Sequence, residues 1–194
     1  LPTVIYVASR MGLISNDLEC LDLTLNKYTM RYSFERNGIP VPQYSLIKDK
    51  DEIKSISINY PAIIKPVDSG GSQGVYKVNN IEELQDAYEY AKDHSRTHTV
   101  IVEEFIDGRE FSVEYLSYKG KHYNLQITDK VTSGAPHFVE MGHSQPTRLD
   151  SNIAEKIREV AKAANKAIGI TNGPSHTEII VTNEGPKIVE LGAR

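Results

Sequence analysis

Very short turns between strand-like segments constrain the fold of this chain more than any other feature of its sequence. Patterns typical of strands cover residues 62–65, 75–78, 99–106, 110–117, 122–128, 176–182 and 187–191. Lys119-Gly120 separates the fourth pattern from the fifth, and Asn183-Glu184-Gly185 separates the last two as a three-residue loop. Strands joined so closely must run antiparallel, because a parallel connection needs about a dozen residues or more.

Three helical patterns accompany these strands. The first begins after Asn26 and ends at about residue 37, and the second begins after Asn80 and ends at about residue 91. The third runs from about Ile153 to Ile168 and is ended by Gly169. Helices that cover one face of antiparallel sheets predict an α+β fold with two lobes, which divide near Asp107-Gly108. We expect a linker or the end of an upstream domain over residues 1–25, a first part of the fold over 26–107 and a second lobe over 108–194.

Composition excludes several classes of protein. The 194 residues include 22 basic and 26 acidic side chains, for a net charge of −4, without a Lys/Arg cluster that would indicate nucleic-acid binding. The longest purely apolar run, Ala62-Ile63-Ile64, is far too short to cross a membrane. A lone Cys20 without a signal-peptide pattern favours the reducing cytoplasm. The chain begins at Leu1 and stops directly after a strand-like run, which we interpret as a piece of a longer protein.

The loop Ser69-Gly70-Gly71-Ser72-Gln73-Gly74 is the first segment that points to chemistry. Such small residues let a backbone wrap closely around an oxyanion, with its amide groups pointing inward. A P-loop or a dinucleotide fingerprint would open a helix, whereas Lys65-Pro66 precede this loop and the strand pattern from Val75 follows it. The pattern predicts a flap over phosphates with Lys65 at its base; an ordinary mobile hairpin loop is the alternative.

Two adjacent acids interrupt the strand pattern that ends at Asp107-Gly108. Glu103 and Glu104 lie within it, and Glu110 begins the next strand. This strand end could present backbone groups to a flat base, with Glu110 within reach of a ribose. Solvated charges on an edge strand are the alternative.

The last hairpin places two more acids opposite each other. With a three-residue loop, Ile180 faces Ile188 and Glu178 faces Glu190 on one side of the pair. Directly opposed carboxylates lie about 5 Å apart at Cβ and repel each other unless a cation lies between them. Paired carboxylates together with phosphate oxygens suit Mg²⁺. A register slip of one residue would put the two acids on opposite faces and remove this argument.

Taken in order, these elements resemble the ATP-grasp superfamily of ATP-dependent carboxylate ligases, and the branch of biotin carboxylase and the carbamoyl-phosphate synthetase large subunit looks nearest. The resemblance runs from about Leu13 to Arg194. It rests on Asn26-Lys27, Ile64-Lys65 with the glycine loop, Val102 to Ile106, Glu178, and Val189-Glu190-Leu191-Gly192-Ala193-Arg194. It implies an ATP-grasp fold that binds a nucleotide between its two lobes, with the metal site in the second.

The resemblance also implies a role for each matching residue. Those assigned to ATP are Lys27 and Lys65 for the phosphates, Ser69, Gly70, Gly71, Ser72, Gln73, Gly74 and Val75 for the flap, Glu103, Glu104, Phe105 and Ile106 for adenine, and Glu110 for the ribose. Glu178 and Glu190 would ligate Mg²⁺, or Mn²⁺ in its place. Arg194 would steady an acyl phosphate or carboxylate, and Lys130 would serve as a substrate-side base or phosphate ligand.

The implied reaction is the phosphorylation of a small-molecule carboxylate to an acyl phosphate, from which an amine or other nucleophile displaces phosphate. Phosphoryl transfer depends on positioning and charge neutralisation more than on a covalent nucleophile. The family usually carries Asn two residues after the second metal carboxylate, where this sequence has Gly192. That difference weakens one metal ligand and indicates a different ligase of the same branch, and the present piece alone is expected to be inactive.

Three alternatives remain open. His137, Glu140 and His143 could be zinc ligands, although their spacing is not that of a helical zinc motif and Gly142 disfavours a helix. The chain could instead be a nucleotide-binding module without turnover, or the ATP-binding domain of a small-molecule kinase. The sequence does not indicate an oligomeric state.

Overall fold

The computed structural model describes residues 2–134 and 140–193 of the chain. The α-helices are α1 (Pro2–Arg10), α2 (Leu18–Leu25), α3 (Lys27–Arg36), α4 (Ile81–Asp93) and α5 (Ser151–Ile168), with a short 3-10 helix at Lys50–Lys54. The strands are β1 (Tyr44–Ile47), β2 (Ala62–Pro66), β3 (Tyr76–Val78), β4 (Val100–Glu104), β5 (Arg109–Tyr118), β6 (Lys121–Thr132), β7 (Glu140–Ser144), β8 (Gly173–Thr182) and β9 (Gly185–Ala193). The predicted α+β class, with antiparallel sheets and helices, is confirmed.

The helix ends are where their capping residues predict them. The Asn26 side chain accepts hydrogen bonds from the amides of Tyr28 and Thr29, and Asn80 accepts one from Glu83. Gly169 ends α5 with a left-handed φ of 79°. Strands β1 and β7 lie outside the predicted set, because β1 has only four residues and every residue of β7 is exposed, so that neither carries a clear apolar alternation.

Contacts within the chain group it into two compact units. Unit 1 comprises Leu1–Val41, Asp107–Val131 and Gly142–Arg194, and unit 2 comprises Pro42–Ile106 and Thr132–Met141. The expected ranges 1–25, 26–107 and 108–194 stay a prediction for the domains.

Residues 1–25, expected as a linker or the end of an upstream domain, contain α1 and α2. These helices are short, and α2 buries only Cys20, so its sequence shows no clear helical period. Cys20 joins the same core as Phe34 of α3, Phe111 of β5 and Ile188 of β9. This shared core explains why the helices before residue 41 group with the second half of the chain.

Unit 2 is built on a four-stranded sheet in the order β1-β4-β2-β3. Its three neighbouring strand pairs are all antiparallel. Ile64 and Val102 face a core that includes Leu84 and Tyr88 of α4. Since side chains alternate along a strand, Lys65 and Glu103 fall on the other face of the sheet.

Unit 1 contains most of a five-stranded sheet in the order β7-β6-β5-β8-β9, in which β5, β6, β8 and β9 pair antiparallel. One face packs Phe111, Val113 and Ile179 against a buried stripe of α5. The opposite face, here called the polar face, carries the acidic and basic side chains of the candidate site. Within the described chain, none of the helices combines the length and the apolar composition that crossing a membrane requires.

Candidate active site

Lys65 and Glu103 form a buried ion pair on the sheet of unit 2. Lys65 Nζ lies 2.6 Å from Glu103 Oε2, and the two side chains are only 7% and 5% exposed. They come together because β2 and β4 pair with Ile63 opposite Glu103, two positions before Lys65. Burial and a short charge-assisted contact fix both side chains in one arrangement.

The end of β4 is anchored through its backbone. The amide of Glu104 donates to the Gln43 carbonyl at 2.8 Å, and the amide of Phe105 donates to the Pro61 carbonyl at 2.9 Å. Lys77 Nζ lies 3.6 Å from the centre of the Phe105 ring, within cation–π distance. The segment expected to bind adenine is therefore a fixed strand end, and the Glu104 amide hydrogen is already used within the fold.

The glycine loop joins β2 to β3, which confirms the predicted order of strand, loop and strand. Residues 70–73 are exposed, whereas Gly74 is buried with a φ of 71°. A Cβ at Gly74 would lie 2.7 Å from His94 Cβ and 2.7 Å from Pro66 Cγ. The loop thus has a closely packed exit and an exposed central part.

Asp68 anchors the entry to this loop. Its carboxylate accepts hydrogen bonds from the Ser95 hydroxyl at 2.8 Å, from the Thr97 amide at 3.1 Å and from the Arg96 amide at 3.2 Å. The next residue, Ser69, donates its hydroxyl to the His94 carbonyl at 2.5 Å. Burial would raise the pKa of Asp68, but these hydrogen bonds outweigh it and lower the pKa below its ordinary value.

We expect the free energy of unfolding of Asp68→Asn to fall less steeply than that of the wild type as the pH is lowered through the acid range. Because the folded-state pKa is lowered, the contribution of Asp68 to stability is full above the ordinary aspartate pKa and is lost as the pH falls through the lowered value. Urea unfolding at a series of pH values between about 2 and 7, with Asp86→Asn as the control on helix α4, measures this. An unchanged acid limb in Asp68→Asn would contradict the expected anchor.

In unit 1 the hairpin of β8 and β9 differs from its prediction near the turn. Thr182 pairs with Gly185 and Ile180 pairs with Lys187, so the predicted three-residue loop and the pairing of Ile180 with Ile188 are wrong. The turn contains only Asn183 and Glu184, which shifts the register by one residue.

A β-bulge then restores the predicted pairing of the two acids. Ile179 pairs with Ile188, but Glu178 pairs with Glu190, which leaves Val189 as the extra residue. Without the bulge, Glu190 would lie on the other face of the sheet. The prediction that Glu178 faces Glu190 is therefore confirmed for a different reason from the one expected.

Helix α3 holds this bulge in place. Arg31 is fully buried, and its Nη2 donates to the carbonyl of Val189. One turn earlier, Lys27 Nζ lies 3.5 Å from Glu190 Oε2, with the Glu190 side chain 37% exposed. The helix thus contacts both the extra residue and the carboxylate that the bulge directs to the polar face.

Glu178 lies between two cationic side chains. Lys130 Nζ is 3.3 Å from Glu178 Oε1 and 4.0 Å from Glu110 Oε2, with the Lys130 side chain 4% exposed. His176 Nε2 is 3.4 Å from the same Glu178 oxygen. Burial would raise the pKa of Glu178, but the hydrogen bond from His176 and the ammonium of Lys130 lower it to about 2.

Sequence reasoning missed His176 and Glu114. His176 Nδ1 lies 2.6 Å from Glu114 Oε1, and hydrogen bonds to the carboxylates of Glu114 and then Glu178 raise the pKa of His176 to about 9. The spacing His176-x-Glu178 could have indicated a shared face of a strand. Glu114 lies 62 residues away in the chain, so only the pairing of β5 with β8 brings it close.

Of the remaining predicted residues, Glu140 and His143 lie on the exposed strand β7 and Gly192 lies on β9. Gly192 pairs with His176, and a Cβ there would meet nothing within 4 Å in the described part of the chain. Arg194 and His137 lie outside the described residues. Over residues 2–134 and 140–193, no three His, Cys, Asp or Glu side chains form a cluster that could hold a metal ion on their own.

Comparisons with known proteins identify the family of the chain. The family model of the ATP-grasp domain matches residues 58–194. The chain is 31% identical to the D-alanine–D-alanine ligase of Flavobacterium johnsoniae, over 87% of the chain and 54% of that protein. It is 26% identical to the alanine–anticapsin ligase of Bacillus subtilis, over 95% of the chain and 44% of that protein.

A solved structure covers the whole chain. The L-amino acid ligase from Bacillus licheniformis matches with a TM-score of 0.87 and 28% identity, over 100% of this chain and 46% of that one. The chain spans about half the length of the curated relatives it matches. Since the family match covers well over half of its residues, the chain belongs to the ATP-grasp family.

Proposed function

We propose that this chain is the ATP- and Mg²⁺-binding part of a ligase that activates the carboxylate of an amino acid as an acyl phosphate for attack by an amine. The observation that carries the proposal is the bulged hairpin, which places Glu178 opposite Glu190 on the polar face. The relatives named above are ligases of amino acids, which supports this substrate class.

The donor set of the polar face fits a hard divalent cation. Two opposed carboxylates supply anionic oxygens, and the phosphate oxygens of a nucleotide would complete the coordination that Mg²⁺, or Mn²⁺ in its place, requires. Glu178 and Glu190 are each balanced by a cation, Lys130 and Lys27 respectively. When bound, Mg·ATP supplies the phosphoryl group and neutralises charge across its phosphates.

The assignment of the other residues to ATP rests on their resemblance to the ATP-grasp family. In unit 2, Lys65 would bind phosphate, Ser69 to Val75 would cover it, and the anchored strand end Glu103 to Ile106 would bind adenine. In unit 1, Lys27 would bind phosphate and Glu110 the ribose.

Lys130 and Arg194 are assigned to the substrate side. The Lys130 ammonium lies beside two carboxylates. We therefore propose that it binds a phosphate group through its positive charge rather than acting as a base. Arg194 would steady the acyl phosphate.

Nucleotide binding is tested first on the chain itself. We expect amide hydrogen exchange in residues 70–73 to slow when an ATP analogue and Mg²⁺ are added, because these exposed residues form the central part of the loop. The 3-10 helix at Lys50–Lys54 is the internal reference. Unchanged exchange at a saturating concentration of the analogue would contradict the assignment of the loop.

Turnover is tested on the full-length protein, because the present piece alone is expected to be inactive, with a panel of amino acids, ATP and hydroxylamine, which traps acyl phosphates as hydroxamates. We expect ADP and hydroxamate to form together and only with Mg²⁺. A stable phosphorylated product would identify a kinase instead, and nucleotide binding without ADP formation across the panel would identify a module without turnover.

A further inference from the structure

Glu114, His176 and Glu178 form a chain of contacts on the polar face. Glu114 lies directly opposite His176 in the pairing of β5 with β8, and Glu178 follows two residues later on β8. The imidazole Nδ1 is 2.6 Å from Glu114 Oε1, and its Nε2 is 3.4 Å from Glu178 Oε1. The three side chains are 35%, 22% and 31% exposed, respectively.

The imidazole Nδ1 is within hydrogen-bond distance of Glu114 Oε1 at 2.6 Å, and an ionised carboxylate can only accept such a bond. The shorter contact, with Glu114, fixes the plane of the ring, and the fixed ring then directs Nε2 at Glu178 Oε1, 3.4 Å away. On the other neighbouring strand, Gly192 pairs with His176 and has no side chain to contact the ring. The orientation of the imidazole therefore depends on the carboxylate of Glu114.

The contacts of Glu178 are unequal between its two oxygens. Lys130 and His176 both lie on Oε1, at 3.3 Å and 3.4 Å, so neither of these contacts engages Oε2. A carboxylate held by one oxygen keeps the other in a defined direction.

We infer that His176, fixed by Glu114, is a positioning residue that orients the Glu178 carboxylate toward the divalent cation. This inference rests on the proposed function, in which Glu178 is a metal ligand. Removal of a residue that hydrogen-bonds to a metal ligand and orients it commonly lowers metal affinity by about 10–100-fold.

A purely electrostatic role for His176 makes the opposite prediction. If the imidazolium only balanced the charges of Glu114 and Glu178, its removal would leave a more negative site and would bind a divalent cation more tightly. The sign of the change in metal affinity therefore distinguishes the two roles.

The test measures Mn²⁺ affinity by EPR titration of free Mn²⁺ in the presence of a non-hydrolysable ATP analogue. We expect His176→Ala to weaken Mn²⁺ binding about 10–100-fold, His176→Gln to weaken it less because the amide still donates, and Glu114→Gln to weaken it in the same direction. His122→Gln is the matched control, because His122 contacts Ser117 at 2.7 Å on a different part of the same sheet.

Crystal structures of the metal-free wild type and of His176→Ala provide a readout independent of metal binding. We expect the Glu178 carboxylate to leave its position beside Lys130 or to become disordered in His176→Ala. Unchanged or tighter Mn²⁺ binding by a folded His176→Ala variant would overturn the inference. If the wild type itself binds no Mn²⁺ with the analogue, the proposed function fails, and an unmoved Glu178 in the variant crystal then overturns the inference as well.

Discussion

Lys65→Met is expected to lower the free energy of unfolding by about 3–5 kcal/mol, because it leaves the Glu103 carboxylate buried without its ammonium partner. The two side chains are 7% and 5% exposed and lie 2.6 Å apart, so water cannot readily replace the lost contact. Under conditions where it is folded, the same variant should bind ATP much more weakly than the wild type does. Its affinity for AMP should change little. Urea unfolding and calorimetric titration with both nucleotides measure these effects.

The double variant Lys65→Met/Glu103→Gln separates stability from binding. Removal of both charges should recover most of the lost stability, since the remaining amide is neutral. It should not recover ATP affinity, because the phosphate ligand is still absent. Recovery of ATP affinity in the double variant would show that Lys65 acts only through the fold.

Local patterns in the sequence predict most elements of the fold. Asn26, Asn80 and Gly169 act through neighbouring backbone groups, so the helix ends that they determine are visible in sequence alone. Helices α1 and α2 are not predictable in this way, because each is short and is stabilised by contacts with residues far along the chain.

In the candidate site, too, contacts between residues close in the sequence could be predicted, whereas contacts between distant residues could not. Glu178 and Glu190 lie in one hairpin, so their pairing could be predicted, although the actual register depends on the bulge at Val189. That bulge is held by Arg31, which lies 158 residues earlier in the chain and has no pattern that connects it to β9. Glu114 and Asp68 were missed for the same reason, since their partners are distant in sequence.

Glu178→Gln and Glu190→Gln are expected to abolish Mn²⁺-dependent nucleotide binding while differing in their effects on the metal-free fold. Each substitution removes an anionic ligand from a hard cation. Each should therefore weaken Mn²⁺ binding by more than the roughly 100-fold that is lost when a residue that only orients a metal ligand is removed. Glu190 is 37% exposed beside Lys27, and contacts of that kind contribute about 0–1 kcal/mol. Glu190→Gln should therefore leave the free energy of unfolding nearly unchanged, or slightly raised by relief of repulsion from Glu178.

Glu178→Gln should destabilise the metal-free protein by about 1.5–3 kcal/mol, because Glu178 accepts charged hydrogen bonds from both His176 and Lys130. Urea unfolding without metal, together with EPR titration of Mn²⁺, measures both quantities for the two variants. Glu184→Gln, at the exposed turn of the same hairpin, is the control and should change neither. If Glu190→Gln destabilises the metal-free protein as much as Glu178→Gln and still binds Mn²⁺ with the nucleotide, then the opposed carboxylates serve the fold and the metal site lies elsewhere. A loss of binding in both variants, with a loss of stability in only one, is what a metal site assembled by the bulge requires.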